Sequence, residues 1–142
     1  MIDATLVIRK INLISKDFGE LARLAQKSLD EYLGSSIDQA LAERYLERAI
    51  GRMIDINYHL ITESGHAPPT DYFASFVQLG PLGILPPPLA RQIAVCAGLR
   101  NRIVHEYDEL DPHRLHEGLQ ATVRDIPPYL ARIHEYIQGL PA

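Results

Sequence analysis

The sequence predicts an all-α fold, an antiparallel bundle of about five helices, and two observations carry this prediction. Apolar residues recur at steps of three and four along most of the chain, as on one face of an amphipathic helix. The composition has 46% hydrophobic residues and no Trp, which favours helices over strands rich in aromatic residues. At 142 residues the chain is long enough to bury a core without disulfides or metal. Because no repeat or low-complexity linker divides it, residues 1–142 are interpreted as a single domain.

Two long helices are predicted in the first half of the chain. The first begins at Ala4 and ends near Gly34, and the second is capped by Ser36 and ends at Gly65. The first helix is expected to bury Val7, Ile11, Ile14, Phe18, Leu21, Ala25, Ser28 and Tyr32. The second is expected to bury Ile37, Leu41, Tyr45 or Leu46, Ile50, Met53 and Leu60.

Proline positions organise the second half. A connection rich in proline and glycine leaves room for a short helix over residues 71–79. Pro87–Pro88 suit the first turn of a fourth helix, and Asp111–Pro112 form a cap-and-start signal for a fifth. Pro127–Pro128 are expected to kink or split that fifth helix near Asp125.

Charge and cysteine content restrict the class of protein. A net charge of -4 argues against a broad basic surface for nucleic acid, so any phosphate contact must be local. The single Cys96 cannot form an intramolecular disulfide and is expected to be a small buried hydrophobe. The start MIDATLVIRK does not resemble a signal peptide, and no stretch approaches the roughly 18 apolar residues of a membrane span. We therefore expect a soluble cytoplasmic protein that does not contact membranes.

The segment LRNRIVHEYDEL, residues 99–110, concentrates the chemistry of the chain. Arginine offers a permanently charged fork suited to phosphate, and histidine exchanges a proton near neutral pH. In RNA, a deprotonated 2′-OH can attack the adjacent phosphorus while Arg neutralises the oxyanion and His protonates the departing 5′-oxygen. Such cleavage needs no metal or cofactor, and DNA is excluded as a substrate because it lacks the hydroxyl.

Spacing divides the segment between two helical stripes. Five residues at roughly 100° each place Arg100 and His105 about 140° apart, so they do not share a face. Asn101, His105 and Asp108 would share one face, where the amide and the carboxylate could orient the imidazole. Tyr107 would lie on the adjacent stripe with Arg100. The geometry works most easily in a homodimer, where a two-fold axis places one chain's Arg beside the other's His.

The segment RNRIVHEYDELDP resembles the Arg-x4-His-x-Tyr motif of the HepT-like ribonucleases, a branch of the HEPN superfamily and the toxin half of bacterial toxin-antitoxin pairs. Three further segments are similar to that family in the same order: MIDATLVIRKI, RYLERAIGRMIDINYHLI with Asp55 and His59, and GILPPPLARQIAVCAGLRN. The resemblance spans nearly the whole chain.

This resemblance implies roles for individual residues. Arg100 and His105 would be catalytic, Asn101 would be a supporting polar residue, and Tyr107 would be regulatory. In members of this family a partner minimal nucleotidyltransferase, the antitoxin, adenylylates the motif tyrosine. A phosphate added beside Arg100 would occupy the cation meant for RNA and block the cleft.

Four further arginines are candidates for RNA binding. Arg44, Arg48 and Arg52 follow one another at i+4 on the second predicted helix, where like charges repel, and Arg102 lies in the motif itself. These residues could form a phosphate track. The alternative is an ordinary solvated face whose charge is offset by Glu43, Glu47 and Asp55.

Two other polar groups allow more than one interpretation. Asp55 and His59 share a face and could form a hydrogen-bonded pair, either to satisfy the core or to serve a dimer seam or active site. His113, His116 and Glu117 have a spacing that could hold a metal, but it matches no zinc-peptidase pattern, so a solvated first turn is favoured.

The sequence therefore predicts a metal-independent endoribonuclease toxin that acts as a homodimer on RNA and is neutralised by a minimal nucleotidyltransferase. One alternative is a non-catalytic helical companion or substrate-binding subunit of a nucleotidyltransferase, which the acidic pI favours slightly. The other is a scaffold in which Arg102 pairs with Glu106, His105 lies at a boundary and Tyr107 fills the core.

Overall fold

The computed structural model describes residues 1–141, and that range contains seven α-helices and one 3-10 turn. The helices are α1 (Ala4–Ala25), α2 (Leu29–Leu33), α3 (Ser36–Glu63), α4 (Tyr72–Val77), α5 (Pro87–Ile93), α6 (Val95–His105) and α7 (Pro112–Gln138), and the 3-10 turn is Tyr107–Glu109. Residues 1–141 contain no strand, so the all-α prediction is confirmed. None of these helices combines the length and the apolar character needed to cross a bilayer.

Neighbouring long helices run antiparallel. The amino group of Met1, just before α1, contacts Glu63 at the end of α3, whereas Asp17 near the other end of α1 contacts Arg48. Helix α3 also packs against α6, and α7 packs against α1, α5 and α6. The short helices α2, α4 and α5 close the ends of this bundle.

A buried polar chain fixes α4 against α3. The Tyr129 hydroxyl on α7 donates to Asn57 Oδ1 at 2.6 Å, and Asn57 Nδ2 donates to Ser75 Oγ on α4 at 3.2 Å. All three side chains are buried, and such groups need partners because they have lost their contacts with water. Burial raises the pKa of Tyr129 well above its ordinary value, so the hydroxyl keeps the proton that it donates.

The first predicted helix is divided in two, which corrects the expectation of one helix to Gly34. The division falls before Ser28, whose hydroxyl accepts from Glu31 N at 3.2 Å, while the Glu31 carboxylate accepts from Ser28 N at 3.0 Å. This capping box satisfies the free amide groups of a new helix start and so competes with continuation of α1. The predicted apolar position Tyr32 is nevertheless buried.

The fourth predicted helix is divided as well, at Ala94 between α5 and α6. The amide of Ala97 donates to Ala94 O at 3.1 Å, a bond over three residues that tightens the turn relative to an α-helix.

The fifth predicted helix is not split. Helix α7 continues through Pro127 and Pro128, although two prolines remove the amide donors that Val123 O and Arg124 O would accept. Both prolines lie on the exposed side of the helix, where water can serve the two freed carbonyls. A helix can therefore carry two unpaired carbonyl groups on its solvated face, whereas on a buried face they would lack any partner.

Candidate functional site

A cleft of about 600 Å³ opens between α3, α4 and α6. It brings together residues that are up to 53 positions apart in the sequence, because α3 packs against α6. Its lining consists of Glu47, Arg48, Gly51, Arg52, Ile54, Asp55, Tyr58, Tyr72 and Arg100. The cleft thus contains three of the arginines singled out from the sequence and two tyrosines that were not.

Two of these arginines share one buried carboxylate on α1. Asp17 Oδ2 lies 3.0 Å from Arg48 Nη2 and 2.9 Å from Arg52 Nη1. Arg52 Nη1 also lies 3.3 Å from the carbonyl oxygen of Leu13. Asp17 is only 6% exposed, and a buried carboxylate is tolerated when charged donors surround it. This contact holds both guanidinium groups at the mouth of the cleft.

The cleft is a local cationic site in an acidic chain. Two positive charges remain when the three arginines Arg48, Arg52 and Arg100 and the two cations that pair with acids of the cleft are set against its three carboxylates, one of which is Asp17. The other acidic side chains of the cleft have cationic partners of their own: Asp55 lies 3.1 Å from Lys10 Nζ, and Glu47 lies 3.9 Å from Arg44. Such a focus of positive charge favours a phosphate-bearing ligand.

Arg100 has a different environment from the other two arginines. Its guanidinium carbon lies 5.2 Å from the centroid of the Tyr72 ring, within the range of a cation–π contact. Its Nε atom is buried and has no hydrogen-bond partner in residues 1–141. The Tyr72 ring meets Tyr58 edge-on, with centroids 6.1 Å apart and an interplanar angle of 80°.

His105 is the last residue of α6, is exposed, and does not line the cleft that contains Arg100. The structure therefore does not bring the two motif residues into one cleft of the same chain, as the spacing of about 140° implies. The proposed orientation of the imidazole by Asn101 and Asp108 is not seen, because neither residue hydrogen-bonds to His105 in the described part of the chain.

The expectation that Tyr107 and Asp108 continue the motif helix is wrong. Helix α6 ends at His105, and both residues lie in the 3-10 turn that follows. Glu106, Asp108 and Glu109 place negative charge at the C-terminal end of α6, where the helix dipole disfavours it. Tyr107 is 66% exposed, so it does not fill the core, and it lines a second groove with Glu43, Arg44, Glu47 and Val104.

The four candidate RNA-binding arginines do not form one continuous track. Arg48 and Arg52 line the main cleft, whereas Arg44 lies in the groove of Tyr107. Arg102 lines a third, smaller cavity with Glu106 and the acidic residues that follow it. Within residues 1–141 Arg102 makes no ion pair with Glu106, so this element of the scaffold alternative is absent.

Asp55 and His59 do not bond to each other. Asp55 pairs with Lys10, and His59 Nε2 accepts from the amide of Asp3 at 2.9 Å. Both contacts join the start of α1 to α3. Asp55 nevertheless lines the same cleft as Arg100.

The solvated first turn expected around His116 is wrong for that residue. His116 is buried against Tyr32, with ring centroids 5.3 Å apart, and its Nε2 lies 2.8 Å from Lys27 O. His113 and Glu117 are exposed as expected. Over residues 1–141, no group of three His, Cys, Asp or Glu side chains is placed to hold a metal ion.

Comparison with known proteins gives this geometry a family context. The family described as Ribonuclease HepT-like matches residues 12–133. The chain belongs to this family. A curated relative, the tRNA nuclease HepT of Aphanizomenon flos-aquae, is 35% identical over 136 residues, which cover 96% of this chain and 92% of that protein. This HepT-like protein is accordingly assigned to the RNA-cleaving nucleases.

Solved structures share the fold of this HepT-like protein. A toxin-antitoxin complex with AMP-PNP aligns with a TM-score of 0.82 at 21% identity, covering 92% of this chain and 98% of that one. A tri-AMPylated HEPN toxin of Shewanella oneidensis, in complex with its MNT antitoxin, aligns at 0.80 and 22% identity and covers 92% and 97%. The cytosolic protein YutE of Bacillus subtilis, of unknown function, aligns at 0.82 and 16% identity and covers 99% and 96%.

Sequence reasoning missed three residues of the site. Asp17 falls on the apolar stripe of α1, three residues after Ile14 and four before Leu21, and an acid in that register is a signal of a buried charge with partners. Tyr58 and Tyr72 carried no comparable signal, because their proximity arises only when α4 folds back onto α3.

Proposed function

We propose that this HepT-like protein, a single domain of residues 1–142, is the metal-independent endoribonuclease toxin of a cytoplasmic toxin-antitoxin pair. One observation carries the proposal: Arg100 of the family motif, which has no carboxylate partner within residues 1–141, presents its guanidinium group to a cleft that has two uncompensated positive charges. A scissile phosphate placed there would meet a cation at the point where negative charge develops during cleavage.

His105 would move the protons. Its imidazole would act on the 2′-OH or on the departing 5′-oxygen, and Arg100 would stabilise the pentacoordinate phosphate between them. Asn101 and Asp108 would support the histidine when RNA is bound, and Arg44, Arg48, Arg52 and Arg102 would contact the RNA backbone. The attacking group belongs to the substrate, so the chain needs neither a cofactor nor a metal ion.

A homodimer supplies the composite site that one chain lacks. Arg100 points into the cleft between α3 and α4, whereas His105 is exposed at the end of α6 and lies outside that cleft. A two-fold axis near α6 would place the histidine of one protomer beside the arginine of its partner. Each dimer would then carry two equivalent sites.

Transfer RNA is the substrate class that one curated relative supports. The 35% identical protein is named a tRNA nuclease and covers nearly the whole chain. We expect cleavage in single-stranded RNA, in a loop or at an end, where unpaired nucleotides can enter a cleft of about 600 Å³.

The antitoxin would be a minimal nucleotidyltransferase that acts on Tyr107. The hydroxyl of this tyrosine lies on a 66% exposed side chain in a turn outside α6, where a modifying enzyme can reach it. Tyr107 and Arg100 line different clefts, so an added AMP would place its phosphate charge beside Arg44, not beside Arg100 as the resemblance implied. It would obstruct RNA at the adjoining motif.

Cleavage of transfer RNA in the presence of EDTA tests the activity. We expect cleavage to persist and to yield 2′,3′-cyclic phosphate ends, identified by mass spectrometry, while a DNA of the same sequence remains intact. His105→Ala and Arg100→Ala should each lower the rate by at least about 10²-fold, the scale of a general acid–base or oxyanion contribution. His113→Ala is the matched control, because that histidine is exposed on α7 and should retain the wild-type rate.

Either of two results would reject this mechanism. A strict requirement for a divalent ion would indicate metal-activated water, and cleavage of DNA would rule out the 2′-OH as nucleophile. Absence of any cleavage by the wild-type protein, together with stable binding to a nucleotidyltransferase, would favour the non-catalytic companion.

A further inference from the structure

We propose that Tyr72 is a positioning residue for Arg100, holding its guanidinium group by a cation–π contact in place of a carboxylate. The inference rests on the proposed function, because it assumes that Arg100 acts on phosphate. The 5.2 Å separation between the guanidinium carbon and the Tyr72 ring centroid is the observation from which it starts.

The three arginines of the cleft allow a direct comparison. Arg48 and Arg52 are held by Asp17 at 3.0 and 2.9 Å, so part of their charge is neutralised by the group that fixes them. Arg100 makes no ion pair within residues 1–141, and its buried Nε has no hydrogen-bond partner there. The ring of Tyr72 attracts the cation through its quadrupole and adds no formal charge. Arg100 is thereby oriented while its full charge remains available to an oxyanion.

The Tyr72 ring is itself fixed from two sides. Tyr72 is the first residue of α4, and the preceding Asp71 caps this helix by accepting from Ala74 N at 2.7 Å. Three residues later, Ser75 joins α4 to the buried Asn57 and thus to α3. The neighbouring Tyr58 packs against the ring in an edge-to-face arrangement. The position of the aromatic surface is therefore determined by the packing of α4 on α3, not by a flexible loop.

A planar ring restricts a guanidinium group in a way that suits phosphate. Contact with the ring limits the rotation of the long arginine side chain, which otherwise costs conformational entropy when phosphate binds. Its Nη donors would bind two phosphate oxygens. Loss of the ring should consequently lower the rate of the chemical step more than it weakens RNA binding, because Arg48 and Arg52 still contact the backbone.

Kinetics of single substitutions provide the first test. Tyr72→Leu should lower kcat by about 10-fold with a change in KM below about 2-fold, whereas Tyr72→Phe, which keeps the ring, should restore most of that loss. Phe73→Leu is the matched control, since this residue is the next in α4, is 50% exposed and does not line the cleft. It should keep the wild-type kcat. An equal loss in Tyr72→Phe, or in Phe73→Leu, would overturn the positioning role.

A double-mutant cycle separates positioning from stacking of a nucleobase on Tyr72. If the ring acts only through Arg100, Tyr72→Leu should cause no further loss of single-turnover rate in an Arg100→Ala background. A base-stacking platform would act independently of Arg100, so the two losses would multiply. That result would overturn our assignment in favour of direct substrate contact.

Fluorescence gives a readout that does not depend on cleavage. The chain contains no Trp, so Tyr72→Trp introduces a single indole, and indole is the strongest ring for a cation–π contact. Arg100→Ala in this variant should shift the emission, and inorganic phosphate should shift it only when Arg100 is present. Arg102→Ala, on the same helix but outside the cleft, should leave the emission unchanged.

These measurements distinguish failure of this inference from failure of the proposed function. An emission that depends on Arg100, in a protein that cleaves no RNA, would uphold the Tyr72–Arg100 contact and reject the nuclease. Cleavage that depends on Arg100, with emission indifferent to Arg100→Ala, would uphold the nuclease and reject the contact.

Discussion

At the scale of single residues, Asp17 holds two arginines of the cleft, although its position in the sequence did not mark it as a site residue. Its carboxylate is nearly inaccessible and yet accepts from two guanidinium groups on α3. Because Arg48 and Arg52 both bind this carboxylate, their attraction to it offsets the repulsion predicted between them at i+4. The same pairing couples the stability of the α1–α3 contact to the electrostatics of the cleft.

We therefore expect Asp17→Asn to destabilise the protein by roughly 1–3 kcal/mol, since it leaves two charged donors with a single neutral acceptor. The free energy of unfolding from urea titration measures this change. Glu20→Gln is the matched control on α1, because its pairing with Arg23 is about half exposed and such pairs contribute about 0.5 kcal/mol. Equal effects of the two substitutions would show that burial of Asp17 has no energetic consequence.

At the scale of elements, the contact between α6 and α7 supports the motif from behind. Gly118 on α7 faces Leu99, the residue before Arg100, and a Cβ atom built on Gly118 would lie 2.8 Å from Leu99 Cδ2. This glycine therefore allows a close approach of α7 to the Leu99 side chain, and it does not serve an unusual backbone conformation. Leu99 is buried and could yield only by disturbing its neighbours.

Gly118→Ala should reduce the free energy of unfolding by about 1 kcal/mol, because overpacking costs about 1–3 kcal/mol and the gain in helix propensity returns about 1 kcal/mol. Gly19→Ala on α1 makes the same chemical change where nothing lies within 4 Å, and it should stabilise by about 0.5–1 kcal/mol. Thermal and urea denaturation of both variants give the comparison. If both substitutions stabilise the protein, the α6–α7 contact at Leu99 can accommodate an added methyl group.

Elements that depend on local sequence could be predicted, whereas features that depend on tertiary packing could not. Periodic apolar residues located the long helices α1, α3 and α7, because burial of one face is encoded locally, but they did not separate α2 from α1 or α6 from α5. Interruptions were harder to predict: the capping box at Ser28 was hidden inside an apolar stripe, and the tolerance of Pro127 depended on which side of α7 faces water. The candidate site shows the same division, since the motif predicts Arg100 and His105 as site residues but gives no sign of Tyr72, which reaches Arg100 only through tertiary packing.

At the scale of the whole molecule, the separation of Arg100 from His105 leads to an assembly. One chain presents its arginine inside the cleft and its histidine outside it, so under the proposed mechanism we expect a complete site to require a second protomer. Sedimentation should therefore report about twice the 16.0 kDa of the chain. A strict monomer at micromolar concentration that still cuts RNA would exclude the composite site.

Complementation provides a sharper test of the same assembly. Arg100→Ala and His105→Ala are each expected to be inactive, but their heterodimer would contain one site with both defects and one with neither. Mixing the two variants under conditions of subunit exchange should restore up to roughly half of the sites in those heterodimers. Unmixed samples, which must stay inactive, are the control, and silence of the mixture despite proven exchange would place each site within one chain.

The single thiol of the chain can report when helix α6 separates from the helices packed against it. Cys96 lies on α6 four residues before Arg100, is buried, and has its pKa raised by burial and by the nearby Asp125, so little thiolate is available to react with a disulfide reagent. Labelling of the native protein must wait until α6 separates from its neighbours. The labelling rate at excess reagent should thus be far below that of the urea-unfolded chain and should fall further if a bound RNA clamps the cleft. A colorimetric thiol assay would therefore measure the rate at which α6, the helix of the Arg-x4-His motif, opens, without any introduced probe.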